Sequence, residues 1–295
     1  MSSPEYEYRV VDVFTETPLE GNPLAVLPRA SGLDSATMQR IAREFNLSET
    51  VFILPSEHRE CAARFRIFTP TMEMRFAGHP TVGGAYVALE CGLVDASSQR
   101  FSIEESIGAV PVRVEQGDPL RIWLKTPPIE FGPAFNRPVC AEVLGLTESE
   151  LGPAPPQRVS AGNPTIFVPV RDHVSVDRAW LDLGGVRRLH DGQSSSDCVF
   201  VFAPTATGAY SRMFAPEHGM VEDPATGSAT GPLAAYMMRY GLVSNEGGTR
   251  FISEQGTKMG RRSLLHVAIH GANGDGGIEV GGNVVPIAEG SLRLP

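Results

Sequence analysis

The sequence predicts an α+β protein of two pseudo-symmetric lobes, each a mixed β-sheet curled into a barrel-like wrap around one central buried helix. Three observations carry that expectation. The chain repeats itself: Arg66-Ile67-Phe68-Thr69-Pro70 returns as Arg212-Met213-Phe214-Ala215-Pro216, Ala77-Gly78-His79-Pro80 is answered by Thr226-Gly227-Ser228-Ala229, and Gly92-Leu93-Val94 by Gly241-Leu242-Val243, each about half a chain later in 295 residues. Each copy holds an apolar stretch rich in small residues, and a helix that is apolar all round is a buried one. Short β-branched and aromatic runs surround both stretches.

Taken in order, Tyr8-Arg9-Val10-Val11-Asp12-Val13-Phe14 reads as a strand, Thr15 to Pro23 as a loop broken by Pro18, Gly21 and Pro23, and Leu24 to Leu27 as a second strand. Asp34 is placed to cap a helix over Ala36 to Phe45, where Met38, Ile41, Ala42 and Phe45 fall on one face. Thr50 to Leu54 and Arg64 to Phe68 read as strands. Phe76 to Pro80 turns into a helix from about Thr81 to Glu90, closed near Gly92, and its repeat mate runs from Thr230 to Tyr240. Strand-like stretches at Val110 to Val114, Leu120 to Leu124, Thr165 to Val170, Val199 to Phe202 and Leu264 to Ile269 supply the wrapping. Gly152 to Pro156 marks a surface loop, and Gly271 to Gly277 a mobile hairpin tip before a final strand pair. Pro127-Pro128 lies at the seam, which divides the chain into an N-terminal lobe over 1–126 and a C-terminal lobe over 127–295, with a last strand free to return to the first lobe.

Composition excludes several functions. The chain is 42% hydrophobic and 20% charged, as globular proteins are, and its net charge of −9 comes without any basic cluster, which disfavours nucleic acid. No apolar run approaches the length of a membrane span. The N-terminus Met1-Ser2-Ser3-Pro4-Glu5-Tyr6-Glu7 is acidic and lacks an apolar core, so no secretion signal is read there and a cytoplasmic location is expected. Cys61, Cys91, Cys140 and Cys198 are scattered and read as free thiols, and the seven histidines show no metal-ligand spacing, so no metal is expected.

The residues able to carry chemistry sit at the turns. Asn22 in Gly21-Asn22-Pro23 either stabilises a turn or offers its amide to a substrate. Glu49, after Leu47-Ser48 and before Val51-Phe52, is either a solvated carboxylate at a helix end or a carboxyl facing an apolar cleft, where desolvation would raise its pKa and suit it to proton transfer. His79 follows Gly78 at a helix start, whose free N–H groups bind anions; it is either structural or a donor and proton shuttle. Asp223 in Glu222-Asp223-Pro224-Ala225-Thr226-Gly227-Ser228 is either a capping acid or the polar wall of a second anion nest at Gly227 and Ser228. No lysine follows these glycines, and neither a dinucleotide fingerprint nor a phosphate loop is present.

Glu20-Gly21-Asn22-Pro23, Asn46-Leu47-Ser48-Glu49, Arg66-Ile67-Phe68-Thr69-Pro70, Phe76-Ala77-Gly78-His79-Pro80-Thr81 and Glu222-Asp223-Pro224-Ala225-Thr226-Gly227-Ser228-Ala229 together resemble the phenazine-biosynthesis PhzF-like family across nearly the whole chain. The resemblance implies the two-lobed fold of diaminopimelate epimerase, with the active site between the lobes. It implies an isomerase like the one acting on trans-2,3-dihydro-3-hydroxyanthranilate, in which Glu49 is the acid/base and His79 and Asp223 act with it. Asn22, Ser48, Gly78, Gly227 and Ser228 would contact substrate. Related epimerases and racemases carry two cysteines, whose places fall near Ala77 and Thr226; neither is a thiol here, which removes two-thiol racemisation and leaves a single carboxyl that lifts a proton and returns it elsewhere. The expected reaction is proton movement within a small unsaturated or cyclic carboxylic acid, with no cofactor, and the expected assembly is a homodimer. Two other classes stay in view: a small-acid-binding paralogue without chemistry, and a hydrolase, disfavoured because no G-x-S-x-G elbow is present.

Overall fold

In the computed structural model the described residues are 5–182, 184–189, 197–216, 220–244 and 246–294; residues 1–4 of the acidic N-terminus lie outside them. Two units separate, one comprising the chain up to Lys125 together with Gly281 onward, the other Thr126–Val280.

The first unit runs β1 (Glu5–Val13), β2 (Asn22–Leu27), α1 (Ser35–Phe45), β3 (Glu49–Leu54), β4 (Ala63–Phe68), β5 (Glu73–Met74), α2 (Gly78–Glu90), β6 (Arg100–Glu105), β7 (Gly108–Glu115) and β8 (Arg121–Lys125). The second runs β9 (Glu130–Ala134), α3 (Arg137–Val143), β10 (Gln157–Ser160), β11 (Thr165–Pro169), α4 (His173–Arg178), α5 (Val186–Leu189), β12 (Cys198–Thr205), β13 (Gly208–Ala215), β14 (Met220–Asp223), α6 (Gly227–Arg239), β15 (Arg250–Gln255), β16 (Ser263–His270) and the first four residues of β17 (Gly277–Gly282); the end of β17 and β18 (Val284–Arg293) belong to the first unit.

Strand pairing repeats with the sequence. In the first unit β1–β2 is antiparallel, β2–β3 parallel, β3–β4 antiparallel, β4–β6 parallel and β6–β7 antiparallel. In the second, β10–β11, β11–β12, β12–β13, β13–β15 and β15–β16 follow the same alternation. β18 adds to β1 antiparallel. The α+β class and the mixed, curled sheets therefore hold in both copies.

Each sheet buries a helix. Apart from the half-buried Tyr86, α2 is buried from Gly78 to Leu89 and packs on β1, β2, β3, β4, β8 and β18. Its close approach depends on two glycines. A Cβ at 83 would stand 2.6 Å from Leu24 Cδ2, and one at 84 would stand 2.7 Å from Phe65 Cε2. On the sheet's other side α1 lays Met38, Ile41 and Ala42 against Leu27, Phe52 and Phe68. Asp34 caps α1 by accepting from Thr37 N–H at 2.8 Å. In the second unit α6 presents Leu233, Ala234, Tyr236 and Met237 to Phe167, Phe200 and Phe202, while Val168, Val201 and Phe214 face Cys140, Val143 and Val176. Successive residues of β12 thus bury both faces, which is why it reads as an unbroken apolar run.

Several elements start earlier than the sequence suggests. α2 begins at Gly78 rather than Thr81, and α6 at Gly227 rather than Thr230. Pro80 falls in a first turn whose N–H groups have no intrahelical partner, so it breaks nothing. β2 begins at Asn22, opposite Val13, rather than at Leu24. The four cysteines are free thiols, three of them buried. Among the described residues no helix is long and apolar enough to cross a membrane.

Candidate active site

Three segments of the first unit bring Asn22, Glu49 and His79 together. Asn22 is delivered by a turn that only glycine allows: Gly21 has φ +69°, and a Cβ there would stand 2.4 Å from the Val13 carbonyl oxygen. The chain then enters β2 with Asn22 fully buried. Glu49 is delivered by the end of α1. Asn46 closes that helix at φ 51°, its N–H donating to Ala42 O, after which Leu47 and the half-buried Ser48 lead into β3. Glu49 opens β3 opposite Leu24 of β2, and is 8% exposed. His79 is the second residue of α2 and is 3% exposed.

The geometry centres on one ring nitrogen. Asn22 Nδ2 lies 3.3 Å from His79 Nδ1, and Glu49 Oε2 lies 3.4 Å from the same atom. Burial holds the His79 pKa down to about 3. The carboxyl therefore meets a neutral ring, and the contact is not an ion pair at neutral pH. An amide N–H of Asn22 can only donate; in the tautomer that accepts it at Nδ1, the single ring proton sits on Nε2. Nε2 is buried and has no hydrogen-bond partner among the described residues. It is an unspent donor at the start of a helix whose Ncap, Ala77, makes no side-chain cap and whose first turn holds no acidic residue. Gly78 and His79 thus present backbone N–H groups and one ring N–H.

The second unit builds a different helix start from its copy of the motif. Asp223, 5% exposed, ends β14, and Thr226 is the Ncap of α6. Thr226 Oγ1 donates to Asp223 Oδ2 at 2.6 Å. Gln255, fully buried at the end of β15, ties this turn down: its Nε2 donates to Asp223 O at 2.7 Å and to Thr226 Oγ1 at 2.9 Å, and its Oε1 accepts from Thr226 N–H at 3.1 Å. Gly227 is buried and Ser228 half-buried in the turn that follows. Sequence reasoning passed over Gln255. Its signal was a repeat: Phe101-Ser102-Ile103-Glu104-Glu105 is answered by Phe251-Ile252-Ser253-Glu254-Gln255.

A second repeated feature braces each copy. Arg66 forks onto Glu73 with both N–O distances 2.7 Å, and Arg212 forks onto Glu222 at 2.9 and 2.8 Å. Each guanidinium also lies over a ring, Phe68 at 5.1 Å and Phe214 at 4.9 Å. Arg212 reaches further, donating to the carbonyls of Ala179, Asp177 and Val176. The two Ncap positions, Ala77 and Thr226, carry no thiol. Among the described residues no three His, Cys, Asp or Glu side chains gather as a metal would require.

Known proteins resemble this chain along nearly its whole length. Residues 11–290 match the family described as phenazine biosynthesis-like protein. The chain is 36% identical over 293 residues to the trans-2,3-dihydro-3-hydroxyanthranilate isomerase of Pseudomonas chlororaphis, covering 98% of this chain and 100% of that one. It is 36% identical over 309 residues to an uncharacterized isomerase of Mesorhizobium japonicum, covering 97% and 98%. Its fold matches the crystal structure of a Bacillus anthracis phenazine biosynthesis protein of the PhzF family with a TM-score of 0.89 at 27% identity, over 99% of this chain and 100% of that one.

Proposed function

The chain belongs to the phenazine biosynthesis-like family and is an isomerase; on that premise we propose that it moves a proton within a small unsaturated or cyclic carboxylic acid, with Glu49 as the sole acid/base and without a cofactor. The observation that carries this reading is the buried carboxyl of Glu49 placed 3.4 Å from a histidine that burial keeps neutral. Glu49 takes a proton from a carbon made acidic by conjugation. The electron pair moves along the π-system, and the protonated Glu49 returns the same proton to a carbon further along it. No net charge, oxidant or water is consumed.

His79 acts as a neutral donor. A ring N–H on Nε2 stabilises charge that develops on a substrate oxygen, and it does so without competing with Glu49 for the proton. Gly78 and the first-turn N–H groups of α2 suit a carboxylate. Asp223, Gly227 and Ser228 of the second unit are proposed to bind the same class of acid, with Asn22 and Ser48 as further contacts. Three relatives at 35–36% identity are named for trans-2,3-dihydro-3-hydroxyanthranilate, so that acid is the first compound to assay.

The test pairs Glu49→Gln with solvent deuterium. Loss of one positioned acid/base is expected to lower kcat by on the order of 10²–10⁴, with the circular dichroism spectrum unchanged. In D₂O the wild type is expected to return mostly unexchanged proton, since the carboxyl is buried. Full turnover by Glu49→Gln would end the proposal.

A further inference from the structure

Glu105 is a buried acid that the reaction above does not use. It ends β6 and occupies the place in the first unit that Gln255 occupies in the second. Its Oε1 lies 2.6 Å from Thr81 Oγ1, and its Oε2 is buried with no hydrogen-bond partner among the described residues. Thr81 Oγ1 also lies 2.7 Å from the carbonyl of Ala77, the Ncap of α2, just as Thr230 Oγ1 in the second unit donates to Thr226 O at 2.9 Å. A hydroxyl has one proton. Spent on the Ala77 carbonyl, as its mate spends it on Thr226, it leaves Thr81 Oγ1 as an acceptor, and the group 2.6 Å away must then be the donor.

We propose that Glu105 is a positioning residue that stays protonated at neutral pH, donating to Thr81 and so holding the helix start that carries Gly78 and His79, as the neutral amide of Gln255 holds the helix start that carries Gly227.

Three considerations support a neutral acid. Among the described residues a carboxylate here would have one donor at most and a second oxygen with none, in a buried site. Burial alone pushes the pKa of Glu105 up to about 8, even with the Thr81 hydroxyl counted as a donor to it. Finally, charged groups on the neighbouring elements are engaged elsewhere. On β4, Arg64 pairs with Glu57 and Glu104, and Arg66 with Glu73; on β7, Arg113 pairs with Glu115; on β6 itself Glu104 accepts from Ser56 and from Glu57 N–H; and on α2 His79 is neutral. A neutral carboxylic acid and a primary amide have nearly the same shape, so the two copies solve one task with interchangeable groups.

The direction of the pH effect follows from proton binding. A native state that holds a proton its unfolded chain has released loses stability as pH rises from the ordinary glutamate range to the folded value, and is flat above it. The contribution of Glu105 to stability is therefore full below the ordinary value of 4.5 and declines up to about 8.

The experiment compares wild type with Glu105→Gln. An infrared titration is expected to show a buried protonated-carboxyl band in the wild type at pH 7, lost with a midpoint near 8 and missing from the variant. The Tm of Glu105→Gln relative to wild type is expected to climb over the same pH range and then level off. Both readouts are independent of turnover, so they stand or fall apart from the role proposed for Glu49. The consequence for activity rests on that role: an alkaline limb of kcat near pH 8 in the wild type that Glu105→Gln lacks. Absence of the band at pH 7 in the wild type, or an unaltered dependence of Tm on pH in the variant, overturns the proposal; the wild-type titration decides alone where the variant does not fold.

Discussion

Glu49 Oε2 and His79 Nδ1 stand 3.4 Å apart with the ring uncharged, so a carboxyl and an imidazole lie side by side without neutralising each other. The roles proposed for them, acid/base and donor, therefore fall to separate groups, and each can be removed by substitution on its own.

The first prediction concerns acid stability. His79 in the native state stays neutral down to about 3, whereas the unfolded chain takes up a proton below the ordinary value of 6.5. Between those values the unfolded state binds more protons, so stability rises with pH across that window and is lost as pH falls through it. His79→Asn should remove this dependence, flattening the acid side of the stability profile by on the order of 5 kcal/mol. Urea unfolding at a series of pH values measures it. An unchanged acid slope in the variant would sink the neutral-ring assignment.

A second prediction concerns the tautomer. In the wild type, ¹⁵N spectra should show an unprotonated Nδ1 and a protonated Nε2. Replacing the Asn22 amide by Leu removes the donor that fixes this choice, at a cost of about 0.5–1.5 kcal/mol in binding or stability. The ring should then populate both tautomers, and kcat should fall while the circular dichroism spectrum stays the same. A protonated Nδ1 in the wild type would contradict the reading.

The Arg forks should differ in weight. The Arg212–Glu222 side chains are 6% and 13% exposed, against 17% and 34% for Arg66–Glu73. Removing one partner of a buried pair leaves an uncompensated charge, costing about 3–5 kcal/mol. Arg212→Ala also takes a donor away from three carbonyls. Its loss in denaturant midpoint should exceed that of Arg66→Ala; equal losses would show that burial does not set their energies.

Gln255→Leu should weaken the second unit. The change removes partners from Thr226 N–H, Thr226 Oγ1 and the Asp223 carbonyl, at about 1–3 kcal/mol for each buried group left unsatisfied. Gln255→Glu should restore much of this at low pH and fail as pH rises. Differential scanning calorimetry at low and high pH separates the two variants, and identical profiles would argue against an amide brace.

Much of this arrangement was legible in the chain. The repeated motifs gave two similar sheets, and the small, apolar compositions of the segments around Val82 and Leu233 gave their buried helices. Asp34 announced α1 because an Ncap acts locally, through Thr37 N–H. What escaped was set by long-range pairing. Pro23 reads as a breaker, yet it lies inside β2 opposite Asp12. Arg100 to Glu105 carries two adjacent acids and is absent from the strands expected above, although it forms β6 and buries Glu105. Gln255 is equally polar and equally hidden. A polar residue gives no sign in sequence that a fold will surround it. Asn22, Glu49 and His79 were visible as candidates one at a time, but the nitrogen they share was not.

The matched guanidinium forks have a historical consequence. A gene segment copied in tandem inherits its folding determinants twice, and each copy must still fold on its own hydrogen bonds, so arginine, glutamate and ring have stayed in both. Chemistry imposes no such duty on twins. Where one copy carries an imidazole the other carries the Ser228 hydroxyl, and where one carries a titrating acid the other carries an amide. The two helix starts thus present different groups from matched scaffolds.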